Sequence, residues 1–201
     1  MIKEFKVNKR EVAYKGFFRL EKYLLQHTLY KGGWSNEITR ELFMRGNCVA
    51  VILYDPVRDE VVLIEQFRAG AVLRPEQAWL LEIVAGAIEP GETAEQVAYR
   101  ESVEEAGCEI EEIMLIKEFY TTPGGSSERI SLFCAKVDTS EVGGVHGVDN
   151  EDEDILVSVA TLDEAYQMVE SGRIESGIAI IAIQWLYINR EKIRAQWLSQ
   201  E

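Results

Sequence analysis

The strongest chemical signal in this chain is a set of three glutamates on one predicted helix. Glu101, Glu104 and Glu105 stand at positions i, i+3 and i+4, so their side chains share one helix face. Like charges at this spacing repel one another, and a purely structural helix gains nothing from them. Carboxylate oxygens are the ligands that hard divalent cations such as Mg²⁺ prefer. The spacing therefore indicates a site for a divalent metal ion.

Residues on either side of the glutamates mark the ends of this helix. Thr93 followed three positions later by Gln96 is a capping-box pattern, which is typical of a helix start. Gly107 supplies a stop after the last glutamate. The sequence therefore predicts a loop followed by a helix that presents all three carboxylates.

The segment from Gly86 to Cys108 resembles the Nudix box, the signature of hydrolases that cleave a nucleoside diphosphate linked to another group. The family pattern is G-x5-E-x7-R-E-U-x-E-E-x-G-U, where U is aliphatic. Its fixed positions are matched here by Gly86, Glu92, Arg100, Glu101, Glu104, Glu105 and Gly107. Ser102 and Cys108 occupy the two aliphatic positions, and both are small enough to pack. The alternative, a solvated acidic helix, does not account for so many identities at fixed spacing.

The resemblance implies an α/β fold, an α-β-α sandwich around a mixed sheet. It also implies that Gly86, Glu92, Arg100 and Gly107 support the box. Arg100 is expected to orient Glu92 or Glu104 by ion pairing, because support of this kind holds ligand carboxylates in place.

Composition narrows the function classes. The chain has 201 residues, enough for one domain with its own core, and a formal net charge of −14. Nucleic-acid binding needs a basic face, so that class is excluded. Apolar runs are short and no signal peptide opens the chain, so we expect no membrane span and a cytoplasmic location. Cys48, Cys108 and Cys134 are expected to be buried free thiols. With only His27 and His146 present, a histidine triad or zinc site is not expected.

The first 44 residues differ in pattern from the rest. Between Tyr14 and Met44, short apolar runs flank a Lys31-Gly32-Gly33 turn and predict two or three antiparallel strands. So few strands need a covering surface. A dimerisation element and a sheet folded onto its own domain fit this pattern equally well. We expect a small N-terminal β subdomain over residues 1–44 and a hydrolase domain over residues 45–201.

The remaining chain contains strands and helices that do not alternate strictly, which favours a mixed sheet between helices. A helix is expected after Thr161, which has Glu164 as its capping-box partner, and another over Ile178–Trp197. The predicted strands are Cys48–Tyr54, Val61–Phe67, Trp79–Val84, Ile113–Tyr120, Ile130–Val137 and Ile155–Val159.

A Pro-Gly-Gly loop follows the box at a characteristic distance. Pro123 lies fifteen residues beyond Cys108, which resembles the mark of the ADP-ribose pyrophosphatase subgroup. The loop that contains Pro123 and Gly124 leaves backbone N–H groups free to approach a ligand. An ordinary β-turn is the alternative interpretation.

A second acidic segment runs from Asp149 to Asp154 and stops at a predicted strand. Acidic runs are usually solvated surface loops. In the resembling pyrophosphatases, however, a loop just before the last strand carries the catalytic base and a further metal ligand. The resemblance places the base at Glu151 and the ligand at Glu153, with Glu104 as the alternative base.

The resemblance also implies residues that contact the substrate. Arg68 ends a strand in an E-Q-x-R pattern, and a guanidinium suits phosphate oxygens. Phe17 and Phe18 are expected to stack on adenine, with core packing as the alternative. Glu128 matches a position near the terminal ribose. The full set of expected substrate contacts is Phe17, Phe18, Arg40, Glu41, Arg45, Arg68, Ala87, Pro123, Gly124 and Glu128.

The predicted function is hydrolysis of ADP-ribose to AMP and ribose 5-phosphate. Two or three Mg²⁺ ions, with Mn²⁺ as an alternative, would be held by Glu101, Glu105, the Ala85 carbonyl and Glu153. The expected partner is a nucleoside diphosphate sugar, with no nucleic acid and no membrane, in a homodimer whose active sites take residues from both chains. Two alternatives stay open: another nucleoside diphosphate sugar such as GDP-mannose, and a non-catalytic Nudix sensor that binds ADP-ribose.

Overall fold

A computed structural model describes residues 2–148 and 152–199. The chain forms two compact units. The first combines Met1–Asn47 with Phe119–Ile130, and the second combines Cys48–Glu118 with Ser131–Glu201. The predicted base, Glu151, lies outside the described residues, as do Asp149 and Asn150.

Three antiparallel strands in sequence order form the sheet of the first unit: β1 (Phe5–Lys15), β2 (Arg19–His27) and β3 (Ile38–Met44). Sequence patterning starts this sheet at Tyr14, whereas β1 begins nine residues earlier. Register shifts at Val7/Lys9 and Val12/Tyr14 interrupt the alternation of apolar and polar residues that would have marked β1. The expected turn at Gly32-Gly33 is confirmed, and both glycines have positive φ.

A distant segment joins the first unit at the end of β3. Phe43 donates its backbone N–H to the Gly125 carbonyl at 2.8 Å, and Ser127 donates to the Phe43 carbonyl at 3.2 Å. The Pro-Gly-Gly loop is therefore attached to β3 by backbone hydrogen bonds. Within the same unit, the buried Glu21 carboxylate accepts hydrogen bonds from Arg10 and Tyr23, which hold its pKa at about 2.

An eight-stranded sheet forms the centre of the second unit. The strands are β4 (Asn47–Asp55), β5 (Glu60–Phe67), β6 (Trp79–Glu82), β7 (Val84–Ala87), β8 (Glu112–Tyr120), β9 (Arg129–Lys136), β10 (Gly144–His146) and β11 (Ile155–Thr161). The main path of the sheet runs β10-β11-β5-β4-β9-β8, and β6 and β7 pair with β5 and β4 respectively.

The β4–β5 hairpin opens soon after its turn, and this opening brings β7 to the site. The two strands pair only at Tyr54–Val61 and Asp55–Glu60. Beyond that point β4 pairs with β7, which carries Ala85 and Gly86, and β5 pairs with β6. The short β6 and β7 strands therefore lie between the separated arms of the hairpin.

Helices cover both faces of this sheet: α1 (Ala94–Ala106), α2 (Leu162–Glu170) and α3 (Gly177–Leu198). Alternating residues of β4 point to opposite faces. Val51 packs in one apolar cluster with Val97 of α1, whereas the Tyr54 ring lies 6.4 Å from the Trp197 ring of α3. The predicted α-β-α sandwich with a small N-terminal antiparallel sheet is confirmed.

Local signals for the helix ends are also confirmed. Thr93 and Gln96 form both bonds of a capping box, and Gly107 ends α1 in the left-handed conformation at φ 63°. Thr161 and Glu164 form a second capping box at α2. The three cysteines are buried free thiols. Within the described ranges, no helix has the length and apolar character needed to cross a membrane.

Candidate active site

Glu105 is the most buried carboxylate of the predicted metal site. Its side chain comes from the last turn of α1 and is 3 % exposed. The Ala85 backbone N–H of β7 donates to its Oε2 at 2.9 Å, which fixes the side chain against the sheet. Burial raises the pKa of Glu105 to about 8, and the charges of Glu101 and Glu153 act in the same direction.

Glu101 lies one helical turn earlier and faces the same strand. A Cβ atom on Gly86 would collide with the Glu101 carboxyl group, so only glycine lets α1 approach β7 this closely. Burial raises the pKa of Glu101 to about 7, and repulsion from Glu104 and Glu153 adds to the effect. These two carboxyl groups are therefore held where negative charge is unfavourable in the absence of a cation.

Arg100 joins the other glutamates of the box. Its Nη1 donates to Glu101 Oε1 and to Glu104 Oε2, both at 2.8 Å, and its Nε donates to Glu92 Oε1 at 3.2 Å. Glu92 also accepts the Glu89 backbone N–H at 3.0 Å, so Arg100 ties the loop before α1 to the helix. One guanidinium thus faces several carboxylates, and the cluster keeps a surplus of negative charge.

This surplus makes the donor set suitable for a divalent cation. Among residues 2–148 and 152–199, no three carboxylate, imidazole or thiol side chains converge closely enough to hold a metal as they stand. Arg100 occupies one oxygen of Glu101, and the predicted set also contains a backbone carbonyl, that of Ala85. The residues fit a cation in chemistry and charge, and Arg100 must release or share Glu101 when one binds.

Glu153 approaches this cluster from the loop before β11. Val148 donates its backbone N–H to Glu153 Oε2 at 3.3 Å. The Glu153 charge is close enough to raise the pKa of both Glu101 and Glu105. Three of the predicted metal ligands are thus brought into electrostatic contact, although Glu153 is distant in sequence from Glu101 and Glu105.

Arg68, the predicted phosphate contact, is fixed by a residue that the sequence did not mark. Its Nε donates to Glu82 Oε2 at 2.6 Å, and its charge lowers the pKa of Glu105. Glu82 lies on β6 opposite Ile64 of β5, on the face that strand alternation also gives to Arg68. By strand alternation Gln66 faces the same side as Arg68, and its buried Nε2 has no hydrogen-bond partner in the described part of the chain.

The first unit holds a second group of predicted substrate residues. Glu128 is buried, pairs with Arg45 at 3.0 Å and accepts the Thr121 hydroxyl at 2.9 Å. The Arg45 guanidinium lies 5.7 Å from the centre of the Phe18 ring. The structure therefore brings together three residues that are separated widely in sequence, Phe18, Arg45 and Glu128.

The remaining members of that predicted set occupy several different positions. Phe17 is 97 % exposed and touches Phe18 edge to face. Arg40 lies on β3 and donates to its neighbour's carbonyl on Thr39. Glu41 is exposed on β3, Ala87 ends β7, and Pro123 and Gly124 form the turn attached to β3.

Comparisons with known proteins agree with this geometry. A NUDIX domain model matches residues 44–175. An ADP-ribose pyrophosphatase of Escherichia coli strain K12 is 45 % identical over 188 residues, covering 94 % of this chain and 90 % of the relative. One from Haemophilus influenzae is 44 % identical over 190 residues, covering 93 % and 88 %.

Two further matches are more distant in sequence. A GDP-mannose pyrophosphatase of Salmonella typhimurium is 34 % identical over 148 residues, covering 73 % of this chain and 76 % of the relative. The crystal structure of an ADP compounds hydrolase superposes with a TM-score of 0.68 at 18 % identity, covering 92 % of this chain and 95 % of that one. The family match, the relatives and the carboxylate-bearing helix lead to one conclusion: this chain belongs to the Nudix family of hydrolases.

Proposed function

We propose that the chain hydrolyses the diphosphate of ADP-ribose to AMP and ribose 5-phosphate in a reaction that depends on Mg²⁺. The observation that carries the proposal is the carboxylate cluster of α1, in which Glu101 and Glu105 have pKa values raised to about 7 and about 8. Such a cluster is stabilised by a divalent cation, and a diphosphate needs one to neutralise its charge. Relatives named ADP-ribose pyrophosphatase, 45 % identical over most of the chain, support the choice of substrate.

The metal ligands would be Glu101, Glu105, Glu153 and the Ala85 carbonyl, holding two or three Mg²⁺ ions or, alternatively, Mn²⁺. When bound, the cation supplies charge neutralisation and a water of lowered pKa. The Ala85 N–H holds Glu105 in place, and Gly86 leaves the space that Glu101 needs. These contacts position the carboxylate oxygens of Glu101 and Glu105 in the absence of a cation.

Other side chains position the substrate and the base. Arg68, which donates to Glu82, is proposed to contact the phosphates, and the effect of its charge on the pKa of Glu105 supports this role. Glu151 is proposed as the general base. Glu104, the alternative, is already engaged by Arg100 at 2.8 Å, and this engagement favours Glu151.

The first unit is proposed to recognise the nucleoside and sugar and to form a homodimer with shared active sites. Strand β1 is exposed along its whole length, with Phe5 and Tyr14 among its uncovered side chains. Three strands with an uncovered apolar surface are marginally stable alone. Sedimentation of the purified protein should give a dimer, and a fully active monomer would contradict this part of the proposal. The cytoplasm is the proposed location.

A substrate panel tests the proposed function. ADP-ribose, GDP-mannose and other nucleoside diphosphate sugars are incubated with Mg²⁺, and products are separated by chromatography. We expect AMP and ribose 5-phosphate, with the highest kcat/KM for ADP-ribose, and a kcat lower by about 10³-fold or more in the Glu105→Gln variant. A preference for GDP-mannose would favour the class of the 34 % identical relatives, and binding of ADP-ribose without hydrolysis would identify a sensor.

A further inference from the structure

The residues Gly143–Val148, here called the strap, connect two parts of the site that are distant in sequence. The strap contains β10, which pairs with β11 through Gly144–Val157 and His146–Ile155. It lies between the last turn of α1, which carries Glu105, and the loop that carries Glu153. Its contacts with both can be followed atom by atom.

Two contacts attach the strap to α1. The Gly147 backbone N–H donates to the Glu104 carbonyl at 3.1 Å. The His146 ring lies directly over Gly107, where a Cβ atom would come within 2.5 Å of His146 Cε1. Two features therefore require glycine at position 107. Its φ of +63° is unfavourable for other residues, and the His146 imidazole occupies the space of a Cβ atom.

The His146 ring is itself held in place by the strap. Its Nε2 lies 3.0 Å from the Gly143 carbonyl oxygen. Because a carbonyl only accepts hydrogen bonds, Nε2 carries the proton and donates it. The bond closes the strap on itself and fixes the ring on the end of α1. The neighbouring Val145, by contrast, is 69 % exposed.

The far end of the strap holds Glu153. Val148 N–H donates to Glu153 Oε2 at 3.3 Å. A Cβ atom on Gly147 would lie 2.8 Å from both the Cβ and the carbonyl oxygen of Glu153. Glu153 is therefore pressed against a backbone that is bonded to α1.

We propose that the strap sets the position of Glu153 relative to Glu101 and Glu105, and that His146 is the positioning residue that locks the strap to α1. His146 itself touches neither metal nor substrate. It acts by holding the strap on α1 through the Gly107 contact and the Gly147–Glu104 hydrogen bond. The distance from Glu153 to Glu101 and Glu105 is thereby fixed. The proposal rests on the proposed function only in taking the cluster as a divalent-cation site.

The test measures metal binding rather than turnover alone. Mn²⁺ is titrated into the full-length protein and free ion is counted by electron paramagnetic resonance, with thermal melting recorded in parallel. We expect His146→Ala to raise the Mn²⁺ Kd about 10-fold, the loss typical of an outer partner of a metal ligand. Val145→Ala, on the same strand but exposed, should bind Mn²⁺ like wild type. His146→Gln, which keeps a side-chain donor for Gly143, should recover part of the affinity.

Two further variants separate positioning from general stability. Gly147→Ala should displace Glu153 directly and lower Mn²⁺ affinity by at least as much as His146→Ala. Gly107→Ala should weaken Mn²⁺ binding more in wild type than in the His146→Ala background, because only wild type has the imidazole to collide with. If His146→Ala folds and binds Mn²⁺ as tightly as wild type, the proposed role of the strap is wrong. If His146→Ala does not fold, unchanged Mn²⁺ affinity in Gly147→Ala leads to the same conclusion.

The outcomes also distinguish the strap from the proposed function. If the wild-type enzyme hydrolyses ADP-ribose and the variants bind Mn²⁺ as tightly as wild type, the proposed function is supported and the proposed role of the strap is rejected. If Mn²⁺ binding depends on His146 but the wild-type protein does not cleave ADP-ribose, the proposed role of the strap is supported and ADP-ribose is rejected as the substrate. A wild-type protein that binds no Mn²⁺ overturns both.

Discussion

The two groups of predicted site residues differ most in charge balance. In the first unit the buried Glu128 is matched by Arg45 at 3.0 Å, and a hydroxyl satisfies its other oxygen. In the second unit Glu92, Glu101 and Glu104 share the guanidinium of Arg100, and the Glu105 carboxylate accepts a backbone N–H in the described part of the chain. A balanced pair suits uncharged ribose or adenine, whereas surplus carboxylates suit a cation. We therefore expect the first group to act in substrate recognition and the second in catalysis.

The largest effect is expected at Glu105. Glu105→Gln should lower kcat about 10³-fold or more, because several kcal/mol of charge stabilisation depend on the cation. The fold should survive, since the substitution removes repulsion from Glu101 and keeps an oxygen for the Ala85 N–H. Steady-state kinetics and circular dichroism measure the two properties. Near-normal turnover by this variant would remove Glu105 from the ligand set.

A smaller loss of turnover is expected at the proposed base. Glu151→Gln should lower kcat by at least about 10²-fold and leave KM nearly unchanged, as a general base requires. The matched control is Asp152→Asn in the same acidic segment, which should have little effect. If Glu151→Gln keeps its turnover, the base is to be sought at Glu104.

Substitution in the Arg45–Glu128 pair should change KM rather than kcat. Arg45→Ala leaves Glu128 buried without its counter-charge, so we expect KM for ADP-ribose to rise about 10-fold with kcat largely spared, the loss of one charged hydrogen bond. Lys9→Ala, which removes an exposed cation from β1 of the same unit, serves as the control. A fall in kcat with unchanged KM in Arg45→Ala would break the division between recognition and chemistry.

The smallest effect concerns stability without metal. The pKa values of Glu101 and Glu105 are raised from an ordinary 4.5 to about 7 and about 8 in the folded chain. The folded state therefore binds more protons than the unfolded state between these values, and stability present below pH 4.5 is lost as pH rises towards 8. In chelator at pH 9, Glu105→Gln should melt higher than wild type by roughly 3 °C, corresponding to about 1 kcal/mol. The gap should close near pH 5, and a gap independent of pH would contradict the assigned burial effect.

Local sequence signals predicted α1 and its ends correctly. Thr93, Gln96 and Gly107 act within their own helix, so their pattern determines the structure found. The order of strands and helices, which do not alternate strictly along the chain, likewise favoured the sandwich that the structure confirms. These features depend on neighbours in sequence, which is the information that a single sequence carries most directly.

Contacts between residues that are distant in sequence were harder to predict. Strand β1 was missed because two bulges shift its alternation, and β10 because it has three residues flanked by glycines. Glu82 meets Arg68 only through the register of β5 and β6, and His146 meets Gly107 only when β10 reaches the end of α1. In each case the partner lies on another element, so no spacing within the sequence marks it.

The central claim is that the surplus carboxylates of α1 act through a divalent cation. Its most direct test is the rate of ADP-ribose cleavage by wild-type protein in excess chelator, followed by stepwise addition of Mg²⁺. We predict no AMP in chelator, full recovery as Mg²⁺ is restored, and no recovery in Glu105→Gln at any Mg²⁺ concentration. Cleavage that continues at the same rate in chelator would contradict the account.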